Sequence, residues 1–175
     1  SIGNLKPGRV KKINVDLNLP PGMPTSAYVF VVQVGSLETS TPPDQPVLVA
    51  YGGVTLTSAF TKNSVPLSVV TGTPLKGSVS VEIGNQGNIA VAKDKTVNVK
   101  ILLQSQLSGM THELKVVENY KIAGLKPDKT KTVNISIDEP GELPEDRYSI
   151  VAVVESDDPA LSIAPIVGDT ITVSP

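Results

Sequence analysis

Apolar and polar residues alternate with period two along much of this chain. Over residues 9–19, Val10, then Ile13, Val15, Leu17 and Leu19 fall on one side, and Lys12, Asn14, Asp16 and Asn18 on the other. That period predicts a half-buried strand. Residues 77–83 repeat it with Val79, Val81 and Ile83 inward, and residues 96–103 with Val97, Val99, Ile101 and Leu103 inward. Residues 113–122 are less regular, and the break near Val117 predicts a bulge. Tyr28 to Val34 is almost continuously apolar and reads as a central strand. Further strands are predicted over 47–51 and 54–60, around a bend at Gly52-Gly53, and over 65–70, 129–137, 147–155 and 163–173. Residues 35–46 and 104–111 read as loops. No stretch holds a helical period, so the chain is expected to be all-β.

Part of the pattern occurs twice. A shift of 120 residues lays Leu5–Val34 on Leu125–Val154 without a gap. Leu5, Lys6 and Pro7 fall on Leu125, Lys126 and Pro127; Asn14 falls on Asn134, Pro20 on Pro140, Pro24 on Pro144 and Tyr28 on Tyr148. Apolar character survives changes of identity at Val15/Ile135, Leu17/Ile137, Met23/Leu143 and Phe30/Ile150. A self-match at a fixed spacing is the mark of a repeat architecture.

Composition narrows the choice. Hydrophobic residues make up 39% of the 175, but aromatics only 3%, so the core must be built from Val, Ile and Leu. β-branched side chains suit a pleated surface, and 14 Gly with 15 Pro imply short strands and frequent turns. Net charge is −2, which gives no basic footprint for nucleic acid. No apolar run approaches the roughly 20 residues of a membrane-spanning helix, and the residues from Ser1 carry no signal-peptide pattern. Cysteine is absent, which removes disulfides and thiolate metal sites.

Seven or eight strands at this spacing suit a Greek-key, immunoglobulin-like β-sandwich over residues 54–175. The repeated strands would be its E and F, followed by G. Tyr28 and Tyr148 each open an F strand, the place of a tyrosine corner, and are expected to be structural. Here a family resemblance enters. Ile83–Asn88 (IGNQGN), Gly124–Asp128 (GLKPD) and the strand opened by Tyr148 together resemble the CARDB domain of bacterial and archaeal surface proteins, a relative of fibronectin type III. Asp128 stands where that family has a glycine; Gly8 keeps it in the first copy. The resemblance implies an extracellular, non-catalytic module for adhesion, spacing or surface assembly.

Residues 1–53 then form only the E, F and G end of a preceding unit. Their inward positions, Ile13, Val15, Leu17, Phe30 or Val31, and Val47 or Val49, need a cover. Several hundred Å² of exposed apolar surface would cost on the order of 10 kcal/mol at about 25 cal/mol per Å². Three completions are open: further repeat sequence, strand donation or swapping by another copy, or closure onto residues 61–175. The chain is expected to be a building block of a surface or filament assembly, with copies of itself or neighbouring repeats as partners. The alternative is a spacer or a ligand-binding module for adhesion or carbohydrate. Few aromatics beyond Tyr51, Tyr120 and the corner tyrosines exist to stack on sugars.

Site chemistry is sparse. His112, the one histidine, is expected in a polar loop and cannot make a triad alone. Acidic residues gather at Asp138, Glu139, Glu142, Glu145 and Asp146, and at Glu155, Asp157 and Asp158. Asp138, Glu142, Glu155, Asp157 and Asp158 are weak calcium candidates, because loop carboxylates suit a hard cation. No EF-hand pattern accompanies them, and no other cofactor is expected. Asn134-Ile135-Ser136 is a glycosylation sequon on the polar side of its strand. Lys6, Arg9, Lys11 and Lys12 form a basic patch, expected to guard a strand edge. No catalytic constellation is visible.

Overall fold

The structure, a computed structural model, describes every residue except 1–5, 11, 13, 18, 21, 22, 35 and 142. It divides into two compact units, residues 1–51 and 52–175.

Unit 52–175 is an immunoglobulin-like sandwich. Strands β5 (Leu56–Asn63), β7 (Leu75–Asn85) and β10 (Lys129–Glu139) form one sheet in the order β10-β7-β5. Strands β6 (Ser68–Val70), β8 (Thr96–Ser105), β9 (Thr111–Lys121), β11 (Asp146–Glu155) and β12 (Ile166–Ser174) form the other, ordered β6-β12-β11-β8-β9. All neighbours are antiparallel except β6 and β12, which run parallel. In sandwich lettering β10, β11 and β12 are E, F and G. The alternating residues meet between the sheets: Val79, Val81 and Ile83 of β7, Ile135 and Ile137 of β10, Val99, Ile101 and Leu103 of β8, and Ile150 and Val154 of β11 are all buried. Each such side chain contributes about 1.5–3 kcal/mol by leaving water, so this face holds the unit together without one tryptophan.

The IGNQGN motif acts inside this fold. Asn85 is buried and its Nδ2 donates to the carbonyls of Ile89 (2.8 Å) and Leu125 (3.0 Å), while its Oδ1 accepts from Gly87 N–H at 2.9 Å. A side chain on Gly87 would collide with backbone, with Gly53 O only 2.2 Å from the Cβ position. The motif therefore ties the end of β7 to the turn before β10.

Unit 1–51 repeats the local structure but not the burial. The Lys-Pro turn closes alike in both copies: Arg9 N–H donates to Lys6 O at 3.1 Å, and Lys129 N–H to Lys126 O at 3.2 Å. Gly8 (φ 73°) and Asp128 (φ 56°) hold the same left-handed position. Proline second and positive φ third is the type II turn pattern, and Asp is among the few residues that tolerate it. Further on, β1 (Ser26–Tyr28) pairs with β4 (Val47–Val49), and β2 (Val31–Val34) with β3 (Leu37–Ser40). The β1–β4 register, Ser26 on Val49 and Tyr28 on Val47, is the β11–β12 register, Asp146 on Val173 and Tyr148 on Ile171. The first strand is displaced by 120 residues (146 − 26) and the last by 124 (173 − 49). The same F–G ladder is thus built twice, with a connection four residues shorter in the first copy.

Three expectations need correction. The described residues of 9–19 are not a strand, although the equivalent β10 is. β10 pairs along its whole length with β7, and the described residues of 1–51 include no counterpart of β7 for this alternation to bond to. The central strand expected over 28–34 is broken into β1 and β2, and part of the loop expected over 35–46 is β3. There β2 bonds to the next segment of chain, in the absence of a copy of β8 beside it. Ile13 lies outside the described residues.

Candidate functional site

The two tyrosine corners are built from the same atoms. Tyr148 Oη donates to Pro144 O at 3.1 Å, and Tyr28 Oη donates to Pro24 O at 3.0 Å. Tyr148 is buried, whereas Tyr28 is half-buried and its bond is open to water. Burial first, and the charge of Asp146 second, push the Tyr148 phenol above its ordinary value.

The acidic residues separate along β11. Asp138 and Asp146 stand at the end where that strand begins; Glu155, Asp157 and Asp158 stand where it finishes. Ten residues of strand at about 3.3 Å each hold the two groups some 30 Å apart. Most have partners: Asp138 with Lys76 at 3.1 Å, Glu155 with Lys100 at 2.6 Å, and Asp158 with Lys95 at 3.1 Å. Asp158 also caps the short 3₁₀ turn Pro159–Leu161, accepting from Ala160 N–H at 3.1 Å. Lys95, followed by that cap, holds the Asp158 carboxyl below its ordinary value. Asp157 is exposed, and Glu142 lies outside the described residues. Among the described residues, no three of His, Cys, Asp or Glu gather closely enough to hold a metal ion.

Sequence reasoning missed a cleft of about 350 Å³ where the β8–β9 turn meets the β10–β11 corner. Leu107, Met110, Leu143 and Tyr148 form its apolar wall. Ser105 donates to Asp146, and Ser108 Oγ donates to Ser105 Oγ at 2.8 Å. The Ser105 hydroxyl is the main cause of a lowered Asp146 pKa. These partners lie some 40 residues apart, and no local pattern announces them. His112, expected in a loop, is instead in β9, with Nε2 3.2 Å from Glu139 Oε2. The strand expected over 113–122 starts two residues earlier, because Thr111 and His112 pair with Gln104 and Leu103 of β8.

Asn134 is exposed on the outer side of β10, where its Oδ1 accepts from Ser80 Oγ at 2.7 Å. Tyr120 Oη donates to Thr132 O at 2.9 Å, and Tyr51 is exposed. Lys6, Arg9 and Lys12 are exposed on irregular chain, not on a strand edge, and Lys11 lies outside the described residues.

Exposed large apolar side chains concentrate in unit 1–51. Exposure is 71% at Val15 against 2% at its counterpart Ile135, 61% at Leu17 against 3% at Ile137, and 50% at Val34 against 2% at Val154. The β2–β3 hairpin puts Val32, Val34 and Leu37 on one side, the side whose counterparts Ala152 and Val154 are buried.

No family model matches the chain, and no curated protein matches it. Solved structures do. The chain is similar to CARDB domains. The solution structure of one from Pyrococcus furiosus is 16% identical with a TM-score of 0.41, and the match covers 72% of this chain and 98% of that one. A crystal structure of the same CARDB domain, in complex with di-metal ions, is 17% identical with a TM-score of 0.40 and the same coverage. A β-glucosidase from Listeria innocua, in complex with gluconolactone, is 17% identical with a TM-score of 0.44, over 86% of this chain and 22% of that one. The sandwich assignment itself stands on the strand order and register above.

Proposed function

We propose that this chain is a non-catalytic structural module of the cell surface, made of immunoglobulin-like units in series. In this reading unit 1–51 is the E–F–G end of a unit whose remaining strands come from outside those residues. The observation that carries it is the F–G ladder built twice in one register, buried in one copy and exposed in the other. The motif resemblance at Ile83–Asn88, Gly124–Asp128 and Tyr148 supports the surface location in this reading.

A second reading has another copy of the chain as the cover. Strand counting limits its form. The sequence holds two E–F–G sets and one set of the earlier strands, residues 56–121. Swapping among copies of residues 1–175 alone would leave one E–F–G set per copy uncovered. Only two such sets packed face to face would satisfy one another, giving a closed dimer.

Light scattering on size-exclusion fractions, with amide exchange on the same samples, separates the two. A monomer whose β1–β4 amides exchange quickly while β7, β8, β10 and β11 stay protected supports completion by other repeat sequence. A dimer with β1–β4 protected supports the second reading. A monomer with β1–β4 as protected as β11 overturns both.

A further inference from the structure

We propose that Asn134 is an N-glycan acceptor, and that its sugar covers the free edge of the β10-β7-β5 sheet. Three features of the folded chain favour it beyond the sequon Asn134-Ile135-Ser136. First, β10 is an edge strand, and Asn134 is exposed midway along it. Second, Ser80 Oγ–H binds the carbonyl end of the amide at 2.7 Å, which aims Nδ2, the acceptor atom, away from the sheet. Third, most of its register neighbours on that face are short and carry hydroxyls. The register sets Ser80 beside Asn134, with the Ser136–Ser78 pair on one side and the Thr132–Glu82 pair on the other. A first sugar ring therefore meets the hydroxyls of Ser78, Ser80, Thr132 and Ser136, with the Glu82 carboxylate beside them.

The repeat separates scaffold from acceptor. Asn14 keeps the asparagine in the first copy, but Asp16 stands where Ser136 does. The asparagine belongs to the repeated pattern; the hydroxyl two residues later belongs to the second copy alone.

The transfer balances with one co-reactant, a lipid pyrophosphate-linked oligosaccharide. The Nδ2–C1 bond forms, the C1–O bond to pyrophosphate breaks, Nδ2 loses a proton and the lipid pyrophosphate leaves. A glycan there shields the outward edge of β10, where Tyr120 Oη already takes the Thr132 carbonyl, the role that charges or proline serve on other sheet edges.

The biological use of the site rests on the surface location proposed above, but the acceptor chemistry can be tested apart from it. The whole chain is secreted from yeast, digested with peptide-N-glycosidase F and mapped by mass spectrometry. The expected result is a glycan on the wild type, with conversion of residue 134 to aspartate on digestion. The glycan is lost in Asn134→Gln and in Ser136→Ala and kept in Ser136→Thr, and its removal leaves the melting midpoint unchanged. An unmodified wild type, or a glycan that persists in Asn134→Gln, overturns the proposal. Fractionation of the native source tests the location separately, so either can fail alone.

Discussion

Residues 5–34 and 125–154 share a sequence pattern, a turn, a tyrosine hydrogen bond and a strand register, yet they differ in almost every buried contact. The difference separates what a sequence does locally from what it does only in company. The Lys-Pro turn and the Tyr–Pro corner close within four or five residues, so they form in both copies. The long alternating strand needs a neighbour for every second backbone group. It forms only where β7 lies beside it.

The largest contrast is expected where the same apolar position is truncated in each copy. Ile135→Ala should destabilise the protein by about 3 kcal/mol, because it opens a cavity in the filled core. Val15→Ala should cost less than about 0.5 kcal/mol, the range of an exposed site. Urea unfolding of both variants checks this; equal losses would mean that unit 1–51 is packed after all.

The corners give a smaller contrast. Tyr148→Phe leaves the Pro144 carbonyl without its donor beside the core and should cost about 1–2 kcal/mol. Tyr28→Phe exposes Pro24 O to water, which replaces the bond, and should cost under about 0.5 kcal/mol. Thermal melts of the two variants would show the split.

Acid should act on unit 52–175 through Asp146 and Asp158. Both are held below their ordinary values, by Ser105 and by Lys95 in first place. Each therefore takes up a proton less readily when folded than when unfolded. Their stabilisation is complete above the unfolded value near 4 and is lost as pH falls through the lower folded value. Asp158→Asn and Asp146→Asn should each flatten the loss of stability as pH falls below about 4, measured by urea midpoints.

The smallest effect is at the turns. Asp128→Gly should stabilise by a few tenths of a kcal/mol, roughly, by easing a left-handed residue. Gly8→Asp should cost a similar amount. Matching magnitudes would confirm that the turn is local in both copies.

How much of this was readable before the structure follows the same division. The alternation of residues 96–103 and 129–137 located β8 and β10 because one side of each meets a full core. The same alternation in 9–19 misled, since a pattern records which face would be buried, not whether anything buries it. β3 was hidden because Glu38, Thr39 and Ser40 carry no apolar signal; it exists through pairing with β2. The acidic residues form two groups in the sequence, and the strand expected between them, β11, keeps the groups apart. The Ser105–Asp146 and Lys95–Asp158 contacts join distant segments, which no spacing rule reaches.

One detail of the sandwich has a mechanical meaning. Strand β6, near the start of unit 52–175, runs parallel to β12, which ends it, and the bonds from Thr71 N–H to Ser174 O (2.8 Å) and from Thr172 N–H to Leu67 O (2.9 Å) join them. Pull the two ends of the unit apart and these strands slide along their length instead of peeling open. The bonds between them then take the tension together, in shear. A chain of such units would resist stretching through a patch of three residues beside another three, each patch a clasp that has to fail all at once.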